Sequence, residues 1–298
     1  MNNRARQQLI LPLLLLIPTL LLSGCGSGES NVDSGNRTGT LHWGNGTEPQ
    51  SLDPHIATGV PEHHIITAIM EGLILKDSTT LAPKPGVAEY WTVSDDGRVY
   101  TFNLRKNARW SNGDPHNAND YVWSWWRALQ PALGNLYAYM YFSIENAQEY
   151  YEGTVTEFDQ VGVIALDDYT LQVTLSNPTP YFLQLLDHYS LYPVHRGTVE
   201  KFGTADERGT RWTYEGNNVG NGAFQLVDWK INRRITVERN QYYWNSDQVQ
   251  LNKIVFYPTE NVVSEERMFR AGQLHRTGSI PADKIPVYLE ANDSSLHI

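Results

Sequence analysis

Apolar residues bunch into one continuous run near the start of the chain and are spaced among polar ones almost everywhere else. Leu9–Leu22 reads "LILPLLLLIPTLLL", apolar apart from Thr19 and interrupted by Pro12 and Pro18. The run is shorter than the about 20 residues a helix needs to cross a bilayer core. With Arg4 and Arg6 before it and Ser23 and Gly24 after it, it fits the apolar segment of a secretory signal. The stretch 26–39, "GSGESNVDSGNRTG", holds one apolar side chain, Val32, and is expected to be flexible coil. So little apolar surface cannot offset the entropy of ordering it.

Beyond the glycine-rich stretch the spacing becomes regular. "TLHWGN" at 40–45 predicts a first strand. In "TGVPEHHIITAIMEGLIL", Pro61 opens a predicted helix, and Ile65, Ile66, Ile69, Met70, Leu73 and Ile74 follow at helical spacing. "WTVSDDGRVYTFNLRKN" predicts a hairpin that turns at Asp96-Gly97, with Tyr100, Phe102 and Leu104 on one face. "NANDYVWSWWRAL" predicts a helix capped by Asn119, whose side chain would accept an orphan N–H. Two more hairpins are expected, one turning at Asp167-Asp168 and one near Asn232. A strand at Lys253–Tyr257 and a helix near Ser264–Ala271 follow. Hairpins with helices set between them predict an α/β chain with mixed sheets and not a strict βαβ series. The closing "ANDSSLHI" reads as the start of another strand, so the sequence is expected to be a piece of a longer chain.

Charge narrows the partners. The formal net charge is −10, and without residues 1–24, which carry two arginines and no acid, it falls to −12. Nucleic acid and anionic membrane surfaces attract basic patches, so both are poor partners for this chain. A folded part of about 260 residues makes one large or two ordinary domains. The 9 Trp and 17 Tyr suit cores, and equally suit surfaces that line a ligand.

Cys25 is the only cysteine, so no disulfide framework competes for its thiol. Leu22–Cys25, Leu-Ser-Gly-Cys, resembles the bacterial lipobox. In that signal the thiol is acylated and the chain is cut before the cysteine. The resemblance implies a signal peptide at 1–24, a lipid anchor on Cys25, a tether at 25–38, and a periplasmic or cell-surface location. The alternative is an ordinary secretory signal with a chance cysteine.

Signals for chemistry are sparse. Neither a Walker loop, nor a GxGxxG after a strand, nor a Gly-x-Ser-x-Gly elbow is present. His63 and His64 are adjacent, so on a helix they point about 100° apart and share no ligand face. "WSNGDPHNAND" lacks the spacing of a calcium loop, and Asn112-Gly113 is a turn signal in its own right. The pairs Asp95/Asp96 and Asp167/Asp168 fall at hairpin tips, where water screens both carboxylates and nothing separates their pKa values. No catalytic residue, metal ligand or cofactor is expected.

The most specific signal is a series of motifs in order: "SLDPH" at 51–55, "EGL" at 71–73, "PGVAEYWTVSDDGRVYTFNLRKNARWSNGDPHNANDYVWSW" at 85–125, "NGAFQLVDW" at 221–229, "RNQYYWN" at 239–245 and "FRAGQL" at 269–274. Together they resemble the solute-binding proteins of oligopeptide ABC importers, over nearly everything from Leu41 onward. The resemblance implies a two-lobed, type II periplasmic-binding-protein-like fold with an extra domain. Lobe I would comprise 39–70 and 195–296, the additional domain 71–194, and lobe III would be absent. It further implies a lipid-anchored, monomeric, non-enzymatic receptor that hands oligopeptides to the permease subunits of an importer. Relatives that bind nickel, haem, glutathione or sugars keep other ligands open, and a surface-anchored hydrolase is the alternative of another class.

Carried over residue by residue, the resemblance places Thr58, Gly59 and Val60 against the bound peptide as an added strand. Tyr137 would pack on the ligand, His188 would line a pocket, and Ser279 would face the cleft. On residue type alone each of these side chains also fits a plain core or surface role. Two departures stand out: Thr58 replaces an acid, and His275 replaces the aspartate of a "GE(L/I)D" motif. The long motif around "RKNARWSNGDPHNANDYVWSW" identifies the family best, yet belongs to the additional domain and reads as structure.

Overall fold

The computed structural model describes residues 28–296. The leader, Cys25 and the start of the expected tether lie outside the described residues. The strands are β1 (Thr40–Gly44), β2 (Ile74–Lys76), β3 (Pro83–Pro85), β4 (Ala88–Val93), β5 (Val99–Leu104), β6 (Val163–Asp167), β7 (Thr170–Thr174), β8 (Phe224–Lys230), β9 (Arg234–Arg239) and β10 (Lys253–Tyr257). They form a sheet of order β1-β10-β9-β8, a sheet of order β4-β5-β7-β6, and a β2-β3 ribbon. Only β1 and β10 pair in parallel, Thr40 opposite Lys253, and the hairpins supply every antiparallel pair of the two larger sheets except β10-β9 and β5-β7.

Each large sheet carries its own core. Under β4-β5-β7-β6, the inward residues Tyr100, Phe102 and Leu104 meet Leu171 and Val173, with Trp125 and Phe182 packed across them. Under β1-β10-β9-β8, Ile235, Val237 and Phe256 meet Leu52, Ile65, Ile66 and Ile69. Those isoleucines come from α2 (Val60–Ile69), which takes Pro61 in its first turn, where the missing N–H would have no partner.

Two buried polar clusters connect the cores. Arg127 donates to Asp53 Oδ1 and Oδ2 (3.0 and 2.6 Å), to His55 Nδ1 (2.8 Å) and to the Ala205 carbonyl (2.7 Å). Burial works against the charge on Asp53, but the adjacent guanidinium outweighs it and holds the carboxyl below its usual range. The second cluster is built on Glu71. Its carboxylate accepts from the Tyr243 hydroxyl and from Trp244 Nε1 (2.7 Å), while its backbone exchanges hydrogen bonds with Asn221 (2.9 and 2.8 Å).

Three local expectations are corrected. Residues 31–38, expected as coil, form the helix α1 (Asn31–Thr38). Ser30 caps it by accepting from the Asp33 N–H (3.0 Å), and Gly39 ends it in a left-handed conformation, φ 70°. Its contact face is Gly35, where an added Cβ would lie 2.4 Å from the Thr40 carbonyl and 2.6 Å from the His275 ring. Counting apolar side chains misses a helix that docks through a glycine. The second correction is the cap of α3 (Ala118–Ala128), which is Asn117 and not Asn119. Asn117 and Asp120 form a reciprocal box, with the Asn117 N–H donating to Asp120 (2.8 Å). The third is at the other end, where residues 291–296 turn after a short helix, Ile285–Glu290, instead of entering a strand.

Candidate functional site

The segment 53–57 is held rigidly and presents the next three residues outward. The Asp53 side chain accepts from the His55 N–H (3.0 Å) and its carbonyl from the Ala57 N–H (3.0 Å). Because Arg127 donates to His55 Nδ1, the ring proton sits on Nε2, which donates to the Tyr192 carbonyl (3.0 Å). Burial, and then the neighbouring guanidinium, bring the His55 pKa down to about 4, so the ring is neutral at pH 7.

Thr58 and Gly59 lead into α2, Thr58 exposed and Gly59 extended, and Val60, the first helical residue, is 66% exposed. Their N–H groups find no acceptor among the described residues. A Cβ at Gly59 would sit 2.0 Å from Glu62 Oε2, so a larger residue there would require the Glu62 carboxylate to shift. The Thr58 carbonyl accepts from the Tyr137 hydroxyl (3.3 Å), and the Ala57 carbonyl from the Tyr189 hydroxyl (3.1 Å).

An aromatic wall stands behind this edge. Tyr137 meets His188 edge-on, ring centroids 4.7 Å apart, and His188 stacks on Tyr189 at 4.4 Å. His188 Nδ1 accepts from the Ser190 N–H (3.2 Å), which leaves the proton of the neutral ring on Nε2. Burial, and then nearby His63, lower its pKa to about 4. The wall is therefore uncharged at neutral pH.

The structure thus brings Thr58, Gly59, Val60, Tyr137 and His188 together. Ser279 is placed elsewhere: it is exposed, on the loop after the helix Val262–Arg270, and its N–H donates to Glu265 (3.4 Å). It makes no hydrogen bond to the other five. Asn45 donates to the Pro61 carbonyl (3.2 Å) and bonds the His64 ring (3.0 Å), which fixes the start of α2 against the chain after β1.

A cavity of about 730 Å³ opens beside Thr58 and Gly59, and its lining includes Glu48, Glu62, Trp212, Tyr214 and Trp229. No sequence pattern assigns these five to a common ligand site. Glu48 and Trp229 are far apart in the chain, and Glu62 passes for an ordinary acid in the first turn of a helix. A hydrogen bond from Ser94 lowers the pKa of Asp96, and one from the Tyr169 N–H lowers that of Asp167.

Comparison with known proteins adds the following. The model for bacterial extracellular solute-binding proteins, family 5, matches residues 82–296. The periplasmic oligopeptide-binding protein OppA of Escherichia coli K12 is 43% identical over 242 residues, 80% of this chain and 43% of the relative. The oligopeptide-binding protein OppA of Bacillus subtilis 168 is 36% identical over 297 residues, 96% of this chain and 52% of the relative. A crystal structure of Haemophilus influenzae OppA in complex with the peptide RPPGFSPFR superimposes with a TM-score of 0.80 at 38% identity. It covers 86% of this chain and 49% of that one. The chain spans about half the length of the curated relatives it matches.

Proposed function

The chain belongs to the bacterial extracellular solute-binding proteins, family 5, with the α/β fold of type II periplasmic binding proteins. From that premise we propose that it forms the ligand-facing part of a receptor that captures oligopeptides outside the cytoplasm. The receptor delivers them to the permease subunits of an ABC importer. One observation carries the peptide reading: the open N–H groups of Thr58, Gly59 and Val60, beside the wall of Tyr137 and His188. An extended peptide adds to such an edge as a further strand. Its affinity then comes from main-chain hydrogen bonds, and its side chains pass into pockets, so many sequences are accepted.

Amide NMR of the chain titrated with trialanine tests this directly. At least one of the N–H signals of Thr58, Gly59 and Val60 is expected to move downfield as it acquires an acceptor, since only alternate N–H groups of extended chain face one added strand. Movement elsewhere with those three unchanged would reject the edge.

In the same proposal Cys25 carries a lipid anchor and residues 1–24 are removed. Cys25→Ser is expected to accumulate precursor with its leader intact and to incorporate no labelled fatty acid. Processing and labelling equal to wild type would dismiss the anchor and leave the peptide reading standing.

A further inference from the structure

Helix α1 is too short to hold itself. Its 8 residues fall below the about 12–15 that an isolated helix needs in water, so α1 persists only while it is docked. Asn252 ties down its C-terminal end, donating from its side chain to the Thr38 carbonyl (2.9 Å) and from its N–H to the Gly39 carbonyl (2.8 Å). The N-terminal half rests on the segment 272–275. There the Val32 N–H donates to the Gly272 carbonyl (2.9 Å), and Asn31 Nδ2 to the Gln273 carbonyl (3.3 Å). Gly35 lies against the His275 ring: a Cβ on it would come 2.6 Å from Cε1 and 3.1 Å from Nε2.

The same ring is committed to β1. His275 Nδ1 accepts from the His42 N–H (3.0 Å), while the His275 N–H donates to the His42 carbonyl (2.8 Å). Only a neutral imidazole accepts such a bond, because both ring nitrogens carry hydrogen once it is protonated. The His42 ring stacks on the His275 ring at 5.6 Å and bonds the Tyr257 hydroxyl (2.9 Å). Burial, and then His275 beside it, lower the pKa of His42, so that ring stays neutral further into acid than a free imidazole. The charged groups of the surrounding elements have other partners. On α1, Arg37 pairs with Glu29 (2.7 Å) and Asp33 accepts from the Ser30 hydroxyl (2.8 Å). Arg276 lies over the Trp43 ring at 4.4 Å. Glu266, which lines with His275 a cavity of about 440 Å³, accepts from the Tyr288 hydroxyl (2.8 Å) and lies 3.9 Å from Arg270. The histidine ion pairs among the described residues are His116–Asp120 and His195–Asp114, so no acid is paired with His275.

We propose that His275 is an acid-sensitive clasp: neutral, it holds the N-terminal half of α1 against the edge of β1, and protonated, it gives up the His42 N–H and lets α1 leave. Protonation sets two donors facing each other across that contact, and relieving it moves a ring on which Gly35 is packed. The released ring takes the proton without losing a bond, so docking weakens as pH falls. The aspartate that the motif otherwise carries would accept the same N–H down to about pH 4, whereas imidazoles change charge near neutrality. In a chain anchored at Cys25, release adds α1 to the tether. Its 8 residues lengthen from about 12 Å as helix to at most about 28 Å extended. That consequence rests on the anchor proposed above; the clasp does not.

The reporter is the Val32 amide, whose acceptor, the Gly272 carbonyl, is in reach only in the docked state. Its hydrogen-exchange protection factor, measured by NMR on the 15N-labelled chain, is expected to fall at least about tenfold between about pH 7.5 and about pH 5. Amides of β10, the control for unfolding of the whole chain, are expected to keep theirs. His275→Asn offers an acceptor near the place of Nδ1 that does not titrate, and is expected to hold Val32 protection level over the same range. The wild-type chain also decides without the variant, because the fall is expected to follow the titration of the His275 Cε1–H signal. Val32 protection that stays constant, that falls together with β10, or that follows the His42 ring instead of His275 would overturn the proposal. An equal fall in His275→Asn would do the same.

Discussion

At Glu71 burial and hydrogen bonding pull in opposite directions. Burial raises its pKa to about 7, against the lowering effect of the bonds from Tyr243 and Trp244 and the charge of Arg105. Arg105 lies 3.7 Å above the Trp244 ring, which keeps that charge near without a direct ion pair. A carboxyl whose pKa is higher in the folded state than its ordinary 4.5 binds protons more tightly when folded. Stability therefore falls as pH rises from about 4.5 to about 7, and levels off above that. The fall attributable to this group is on the order of 3 kcal/mol. Glu71→Gln is expected to flatten that part of the stability profile, measured by urea unfolding at pH 4.5, 6 and 7.5. An unchanged slope would show that other groups cause it.

At the scale of elements, polar capping determined more than apolar count. α1 exists because Ser30 and Gly39 terminate it and Gly35 lets it touch the His275 ring, and none of these is an apolar signal. In α3 the same chemistry displaced the start by two residues. Asn117 satisfies the N–H of Asn119 (2.9 Å), and Asp120 reaches back to the N–H of Asn117. Asp120 also accepts from Trp110 Nε1 (3.2 Å), so the box ties the helix to the preceding turn. Asn117→Ala is expected to cost about 1 kcal/mol by denaturant unfolding, while Asn119→Ala costs a few tenths at most. The reverse order would restore Asn119 as the cap.

At the scale of the molecule, the two cores are joined through buried charges. Asp53, with Arg127, belongs both to that junction and to the cavity lining. The strand edge at 58–60 is thus anchored on the pairing that links the cores. In the proposed receptor the ligand is enclosed between lobes, and the described residues provide one side of it. A site that buries most of its ligand loses far more than the about 1.4 kcal/mol of a tenfold change when one side is missing. The chain by itself is therefore expected to give no calorimetric heat with tri- to pentapeptides at roughly 20–50 micromolar protein, a range that detects micromolar affinity. Fusing residues 28–296 to the complementary half of the Escherichia coli relative is expected to bring affinity into the micromolar range. Micromolar binding by the chain alone would place the whole site within it.

What the sequence determined by itself was local or redundant. The hairpin turns at Asp96-Gly97, Asp167-Asp168 and Asn232, the span of β10, and Pro61 in the first turn of α2 follow from alternation and turn chemistry within a few residues. The family was legible because many spaced motifs agreed, each one weak alone. The resemblance offered Tyr137, His188 and Ser279 as ligand contacts; the fold places Tyr137 on the Thr58 carbonyl with His188 against its ring, and Ser279 apart on its own loop. Tertiary structure alone decided the rest. Arg127 and Asp53, Glu71 and Tyr243, and Glu48 and Trp229 lie 74, 172 and 181 positions apart. No local pattern encodes such pairs, because each depends on where the chain returns after building a core. A buried charge must find its partner there, and an acid such as Glu62, with no cationic partner among the described residues, stands out only once the walls around it are known.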